Sequence, residues 1–87
     1  MFKVLVKKKD FQKVALMPVS AQKTFKMLLK DLRDKGPVQP AYRNYSRLGR
    51  NEYHCHLAYR WVACWRNDKG SLLIEVYYAG SRENAPY

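Results

Sequence analysis

Two histidines stand close together in the stretch Tyr53-His54-Cys55-His56-Leu57, and the chain contains no others. On a β-strand, side chains alternate in direction, so His54 and His56 share one face while Cys55 points to the other. An imidazole exchanges a proton near neutral pH, and a cationic surface lowers its pKa, leaving a neutral base. The pair therefore predicts either a general base or two exposed strand residues without a task.

The same stretch is rich in metal-binding residue types but does not favour a metal site. Because Cys55 points away from both histidines, one ion cannot easily collect all three side chains. The chain has no Cys-x-x-Cys or His-Glu-x-x-His pattern, no glycine-rich phosphate loop and no obvious pair of carboxylates. We therefore predict that the protein uses neither a metal ion nor another cofactor.

The charge balance indicates a polyanionic partner. Seventeen Lys and Arg residues oppose seven Asp and Glu residues, giving a formal net charge of +10. Such an excess favours RNA, DNA, an anionic membrane or an acidic protein as the partner. No apolar run reaches the roughly twenty residues of a spanning helix, so a membrane is the weaker interpretation.

The segment 41–47 interleaves aromatic and basic residues, so that rings can stack on unpaired bases while arginines hold phosphates. The alternative is a solvated loop whose tyrosines pack on the sheet. A set of His, Arg and Tyr residues suits metal-free RNA cleavage, in which the 2′-hydroxyl attacks the neighbouring phosphodiester. The candidate RNA-binding residues are Lys30, Arg43, Tyr45, Arg47, Arg50 and Asn84.

Hydrophobic periodicity predicts the elements that position these residues. We expect a strand over 2–7, a short helix capped by Asp10 and ended by Pro18, and a longer helix capped by Ser20. A loop over 37–50 precedes strands near 53–57, 60–66 and 71–79, and the last is expected to point Tyr77 and Tyr78 to opposite faces. The order β-α-α-β-β-β predicts one α+β domain over 1–87, with an antiparallel sheet packed against two helices.

The start of the chain, Met1-Phe2-Lys3-Val4, has neither a long apolar stretch nor a cleavage site. We therefore expect a cytoplasmic protein in which Cys55 and Cys64 stay reduced.

The stretch Gly80-Ser81-Arg82-Glu83-Asn84-Ala85-Pro86-Tyr87 resembles the closing motif of RelE-type toxins, in which Gly-Lys-Arg-Glu-Arg is followed shortly by Tyr. Tyr53-His54-Cys55-His56-Leu57 is similar to the Tyr-Lys-Ile-Lys-Leu strand of these toxins, and Tyr59-Arg60-Trp61-Val62 to their Tyr-Arg-Leu-Val strand. The resemblance to the RelE/ParE superfamily of bacterial toxin–antitoxin systems covers nearly the whole chain.

The resemblance implies a RelE-like fold and an endoribonuclease that cleaves mRNA in the ribosomal A site. Arg60 and Arg82 match the two phosphate-stabilising arginines, and Tyr87 matches a tyrosine that stacks on a base or assists proton transfer. His54 and His56 occupy the positions of paired lysines, one of which acts as the base. The expected partners are the ribosome, mRNA and a neutralising antitoxin.

This chain departs from the RelE pattern near its end. Asn84 stands where the motif has a second arginine, and Tyr87 follows the glycine one residue sooner than in the pattern. Two other interpretations stay open: a ParE-like protein that poisons DNA gyrase, which has no need of a proton-transfer base, and a non-catalytic RNA-binding module.

Overall fold

Two α-helices pack against a five-stranded sheet in the computed structural model, which describes residues 1–87. The α+β class predicted from the sequence is confirmed. In chain order the elements are β1 (Lys3–Val6), α1 (Lys8–Ala15), α2 (Val19–Lys35), β2 (Ser46–Arg47), β3 (Glu52–Ala58), β4 (Trp61–Arg66), β5 (Leu73–Ser81) and a 3-10 turn (Arg82–Asn84).

The sheet is mostly antiparallel, in the order β1-β5-β4-β3-β2. One pair differs from the prediction, because β1 runs parallel to β5, with Lys3 opposite Leu73. The two helices lie between these strands in sequence and return the chain to the far edge of the sheet, so a parallel pairing becomes possible. The two-residue strand β2, within the predicted loop 37–50, forms the other edge and covers only the first half of β3.

The core forms where α2 meets the sheet. The apolar stripe of α2 follows the predicted helical spacing, and its members Ala21, Phe25, Leu28 and Leu32 are each at most 1% exposed. They pack in one cluster with residues of three strands, including Trp65. Burying a side chain of the size of Phe25 contributes about 1.5–3 kcal/mol, so this stripe fixes α2 against the sheet.

The helix boundaries differ from the predicted caps. Helix α1 already begins at Lys8, which places Asp10 inside its first turn, buried and with Oδ2 lacking a hydrogen-bond partner. Helix α2 begins directly after Pro18, so Ser20 lies inside the helix rather than capping it. The predicted end at Gly36 is confirmed: its φ of 96° favours glycine, and a Cβ there would lie 2.9 Å from the Phe2 ring.

An irregularity between β4 and β5 affects the open face of the sheet. The register shifts between Cys64 and Trp65, and Val76 and Ala79 are both fully buried in the core. Tyr77 and Tyr78 lie between these two core positions, so the expectation that they point to opposite faces, which assumed a regular strand, is wrong. Neither helix is long and apolar enough to cross a bilayer.

Candidate active site

Strand β3 presents its two histidines on the side of the sheet opposite the helices. Cys55 and Leu57 belong to the core cluster, so the intervening His54 and His56 face the other way, as the strand period predicted. The two imidazoles are only 8% and 9% exposed, and their ring centroids lie 5.9 Å apart. The alternative of two exposed histidines is therefore wrong.

Each imidazole has a polar partner from the segment before β3. Ser46 pairs with His54 in the β2–β3 register, and its Oγ lies 2.9 Å from His54 Nδ1. The amide nitrogen Nδ2 of Asn44 lies 3.4 Å from His56 Nδ1. Asn44 adopts a left-handed backbone with a φ of 53°, a conformation that asparagine tolerates better than most residues. The Nδ1 side of each ring thus faces a partner that orients it.

Both histidines have pKa values below the usual 6.5. Burial is the main cause for each, because it disfavours the charged form. For His54, a hydrogen bond with the Ser46 backbone acts in the opposite direction and raises the pKa. For His56, the charges of His54, Arg82 and Arg43 lower the pKa further. Both imidazoles are therefore neutral at pH 7, and each can accept a proton.

His56 opens into a small polar hollow of about 260 Å³. Two cations border it: Arg43, whose carbonyl accepts a hydrogen bond from the His56 N–H at 2.8 Å, and Arg82, at the start of the 3-10 turn. The Arg82 guanidinium carbon lies 6.0 Å from the centre of the Tyr59 ring. The hollow thus combines two positive charges, a neutral imidazole and a phenol. Its lining consists of Arg43, Asn44, His56, Tyr59 and Arg82.

The terminal tyrosine covers His54 rather than this hollow. The ring centroids of Tyr87 and His54 lie 4.6 Å apart, and Tyr87 is still 54% exposed. Burial raises the pKa of Tyr87, with a smaller opposing effect from Arg82. The closing segment therefore returns across the open face of the sheet and shields one histidine, while His56 stays beside the arginines.

Arg60 lies in a different place from the one predicted. It belongs to the turn between β3 and β4, because β4 begins only at Trp61. Its guanidinium forms an exposed ion pair with Glu83 at 3.9 Å, and Arg60 lines a neighbouring cavity that includes Pro18 and shares Tyr59 with the hollow. Its backbone carbonyl accepts a 2.7 Å hydrogen bond from the Arg82 N–H. The contact between Arg60 and the hollow therefore runs through the backbone.

The candidate RNA-binding residues after Arg43 form another group. The Tyr45 ring packs against Tyr53 and Trp65, with centroid distances of 6.2 and 6.3 Å, so its faces are engaged within the protein. Arg47 lies over the ring of Tyr53 at 5.4 Å and donates to the carbonyl of Arg50. Arg47 and Arg50 also line a second basic cavity that includes Lys69, at the turns before β3 and after β4.

The remaining two candidates are solvent-facing. Lys30 lies on α2, and its ammonium group pairs with Asp34 at 3.4 Å. Asn84 ends the 3-10 turn and is exposed. Neither residue lines the hollow around His56.

Three residues of the site were not among the predicted site residues: Asn44, Ser46 and Tyr59. Asn44 and Ser46 alternate with the predicted Arg43 and Tyr45, so the sequence indicates the segment but not which of its members contact the histidines. Tyr59 directly precedes the predicted Arg60 in the quoted motif. Nowhere do three His, Cys, Asp or Glu side chains group closely enough to hold a metal ion.

Solved structures of bacterial toxins have folds similar to that of this chain. A copper-bound mutant toxin from Helicobacter pylori matches with a TM-score of 0.71 and 21% identity, covering 95% of this chain and 97% of that one. The YoeB–YefM complex from Staphylococcus aureus matches with a TM-score of 0.67 and 12% identity, covering 92% and 95%. This chain has a RelE-like fold.

A metal-bound toxin from Helicobacter pylori matches the RelE-like fold equally widely, with a TM-score of 0.69 and 16% identity over 95% of this chain and 97% of that one. No protein-family model and no curated protein sequence matches the chain. The likeness therefore lies in three-dimensional shape rather than in sequence.

Proposed function

We propose that this protein is the toxin of a type II toxin–antitoxin system, an endoribonuclease that cleaves mRNA in the ribosomal A site. The observation that carries the proposal is the hollow in which Arg43 and Arg82 flank the neutral imidazole of His56. Two guanidinium groups beside a neutral base suit an anionic substrate group such as a phosphodiester. The toxin structures that share the fold support the same direction.

The reaction in this proposal needs no bound water. The ribose 2′-hydroxyl loses its proton to His56 and attacks the adjacent phosphorus, forming a 2′,3′-cyclic phosphate. Arg43 and Arg82 stabilise the extra negative charge on the phosphorane oxygens. The bond to the 5′ oxygen then breaks, and this oxygen takes a proton. Tyr59 is the one hydroxyl donor that lines the hollow, so we assign this step to it.

The other predicted site residues take supporting roles. Tyr87 shields His54, Arg60 fixes the Arg82 backbone, and Arg47 with Arg50 offers a separate cationic surface to ribosomal RNA. The net charge of +10 suits both that surface and an antitoxin with an acidic segment. A neighbouring structure is a complex of YoeB with YefM, which supports a protein partner of this kind.

The test is induced expression of wild type and of Arg82→Ala, with growth curves and 5′-end mapping of cellular mRNA. Removing one preorganised charge from a site of this kind lowers the rate by about 10²–10³-fold. We therefore expect growth arrest and new 5′ ends for wild type, and little of either for the variant. Arg33→Ala is the matched control, because Arg33 is an exposed arginine on α2 that pairs only with Asp34.

Three results would contradict the proposal. Normal growth with the wild-type protein would remove the toxin function. Intact mRNA together with trapped gyrase–DNA cleavage complexes would indicate the ParE-like activity instead. Unchanged toxicity after replacement of both histidines by alanine would indicate a binding protein without catalysis.

A further inference from the structure

Another cavity, distinct from the one lined by Arg47 and Arg50, adjoins the hollow on the side of α2. It has a volume of about 430 Å³ and shares Arg43 and His56 with the hollow, so the two spaces lie next to each other at these residues. Its volume lies within the range of about 300–1,000 Å³ typical of small-molecule sites. The lining consists of Thr24, Met27, Asp31, Ala41, Tyr42, Arg43, His56, Leu57 and Ala58.

The cavity exists because β2 is short. Beyond His54, strand β3 has no neighbouring strand on that side, and the only backbone contact there joins the His56 N–H to the Arg43 carbonyl. The space between this free edge and α2 stays open, and Met27 on α2 is 60% exposed beside it. The cavity is therefore accessible from solvent.

The walls are mostly apolar, with a single carboxylate among them. Asp31 is held in place from two sides: its Oδ2 accepts a hydrogen bond of 2.6 Å from the Tyr42 hydroxyl, and its Oδ1 lies 3.8 Å from Lys35 Nζ. A carboxylate repels phosphate, so a ligand with a phosphate in the hollow would place an uncharged group beside Asp31. An ionised carboxylate is also an acceptor only, so its ligand must present donors.

We propose that this cavity binds the nucleobase on the 5′ side of the scissile phosphate and prefers guanine. The inference rests on the proposed nuclease function, because the phosphate in the hollow is what places the base beside Arg43 and His56. A flat base fits between apolar walls, and RNA-binding proteins commonly read unstacked bases at their Watson–Crick edges. Guanine alone presents two adjacent N–H donors there, N1–H and the N2 amino group, to the two oxygens of a carboxylate.

The other bases match Asp31 less well. Uracil and adenine place an acceptor beside their donor, so one carboxylate oxygen would face a carbonyl oxygen or a ring nitrogen. A good bidentate contact discriminates between bases by roughly 5- to 150-fold. We expect a preference in that range for guanine over uracil at this position.

The experiment measures binding of guanosine 3′-monophosphate and uridine 3′-monophosphate to the purified full chain by NMR titration of the backbone amides. We expect tighter binding of the guanosine compound, with shifts at 41–43 and at 56–58. Asp31→Asn should reduce the preference at least fivefold, because an amide replaces one acceptor with a donor. Asp34→Asn, one turn further along α2, is the matched control and should retain the preference. Equal binding of both nucleotides, or an unchanged preference in Asp31→Asn, would overturn the inference.

A second variant acts without touching the carboxylate. Met27→Trp places a larger side chain on an exposed wall of the cavity, so the fold should be kept while binding of both nucleotides weakens. Because these measurements need neither ribosome nor cleavage, they are separate from the test of nuclease activity. Guanine preference without mRNA cleavage would support guanine binding in the cavity and contradict the proposed nuclease activity. Cleavage whose site preference is the same in wild type and Asp31→Asn would support the nuclease activity and contradict guanine binding in the cavity.

Discussion

Gly80 links the fold to the site, and Gly80→Ala should destabilise the protein strongly. A Cβ at this position would lie 2.8 Å from Tyr78 Oη and 3.0 Å from Tyr78 Cζ. The phenol cannot move aside freely, because its hydroxyl donates a 2.6 Å hydrogen bond to the Ser81 carbonyl. Arg82 follows directly, so a displaced Ser81 also displaces a cation of the hollow.

The magnitude follows from the two effects together. Inserting a methyl group into a packed site costs about 1–3 kcal/mol. Losing the hydrogen bond of Tyr78 adds about 1 kcal/mol. We expect the free energy of unfolding to fall by about 2–4 kcal/mol, a large part of the roughly 5–15 kcal/mol of an ordinary domain. The midpoint of thermal unfolding should fall by roughly 10–30 °C for a domain of this size.

Urea unfolding followed by tryptophan fluorescence measures this loss, with two comparisons. Gly49→Ala is the matched control, because a Cβ at Gly49 meets no atom within 4 Å. It should leave stability unchanged or raise it by up to about 1 kcal/mol. In a Tyr78→Phe background, Gly80→Ala should cost at least about 1 kcal/mol less, because the Oη contact is absent. Equal costs in both backgrounds, or no loss at all, would refute the reasoning.

Four further outcomes are expected. Arg82→Ala should raise the pKa of His56, because the Arg82 charge lowers it, and NMR titration of the ring protons measures the change. An unchanged pKa would mean that the Arg82 charge does not act on His56. Ser46→Ala should keep the pKa of His54 below its usual value, because burial lowers it and the Ser46 backbone, which opposes the effect of burial, is retained; a pKa at or above 6.5 on NMR titration would contradict this. Both histidines have folded pKa values below 6.5, so between those values and 6.5 the unfolded chain binds more protons than the folded one. The free energy of unfolding should therefore rise with pH up to about 6.5, and this contribution should be lost as the pH falls toward the folded pKa values. Denaturation series at several pH values measure the slope, and a free energy of unfolding that falls with rising pH in this interval would contradict the sign. Phe25→Ala should cost about 3–5 kcal/mol, because Phe25 is 1% exposed in the core, and a loss below about 1 kcal/mol on urea unfolding would contradict its central position.

The parts of the fold that depend on local periodicity could be predicted from the sequence. The spacing of the α2 stripe identifies Phe25 and Leu28 as core, and the strand period places His54 and His56 on one face. Both predictions rest on repeats of 3.6 and 2 residues, which hold within one element and need no knowledge of the rest of the chain.

The parts of the fold and of the site that depend on pairing between distant segments could not be predicted from the sequence. Tyr77 and Tyr78 escape the period because β5 carries an irregularity that only its register with β4 reveals. Arg60 was predicted on a strand, but the turn before Trp61 takes it out of the hollow. Arg43 and Asn44 reach the hollow because the Arg43 carbonyl pairs with the His56 N–H, a contact between segments without a shared local pattern.

The parallel pairing of β1 with β5 determines when the domain can close during synthesis. Lys3 finds its partner only at Leu73, so both helices are made long before the strand beside β1 exists. Contacts between residues so far apart in sequence form late and slow the folding of small domains. A nascent chain that stops short of residues 73–81 has neither the neighbour of β1 nor the segment that leads to Arg82. A partially synthesised chain thus lacks both the strand that completes the sheet beside β1 and the Arg82 charge of the hollow.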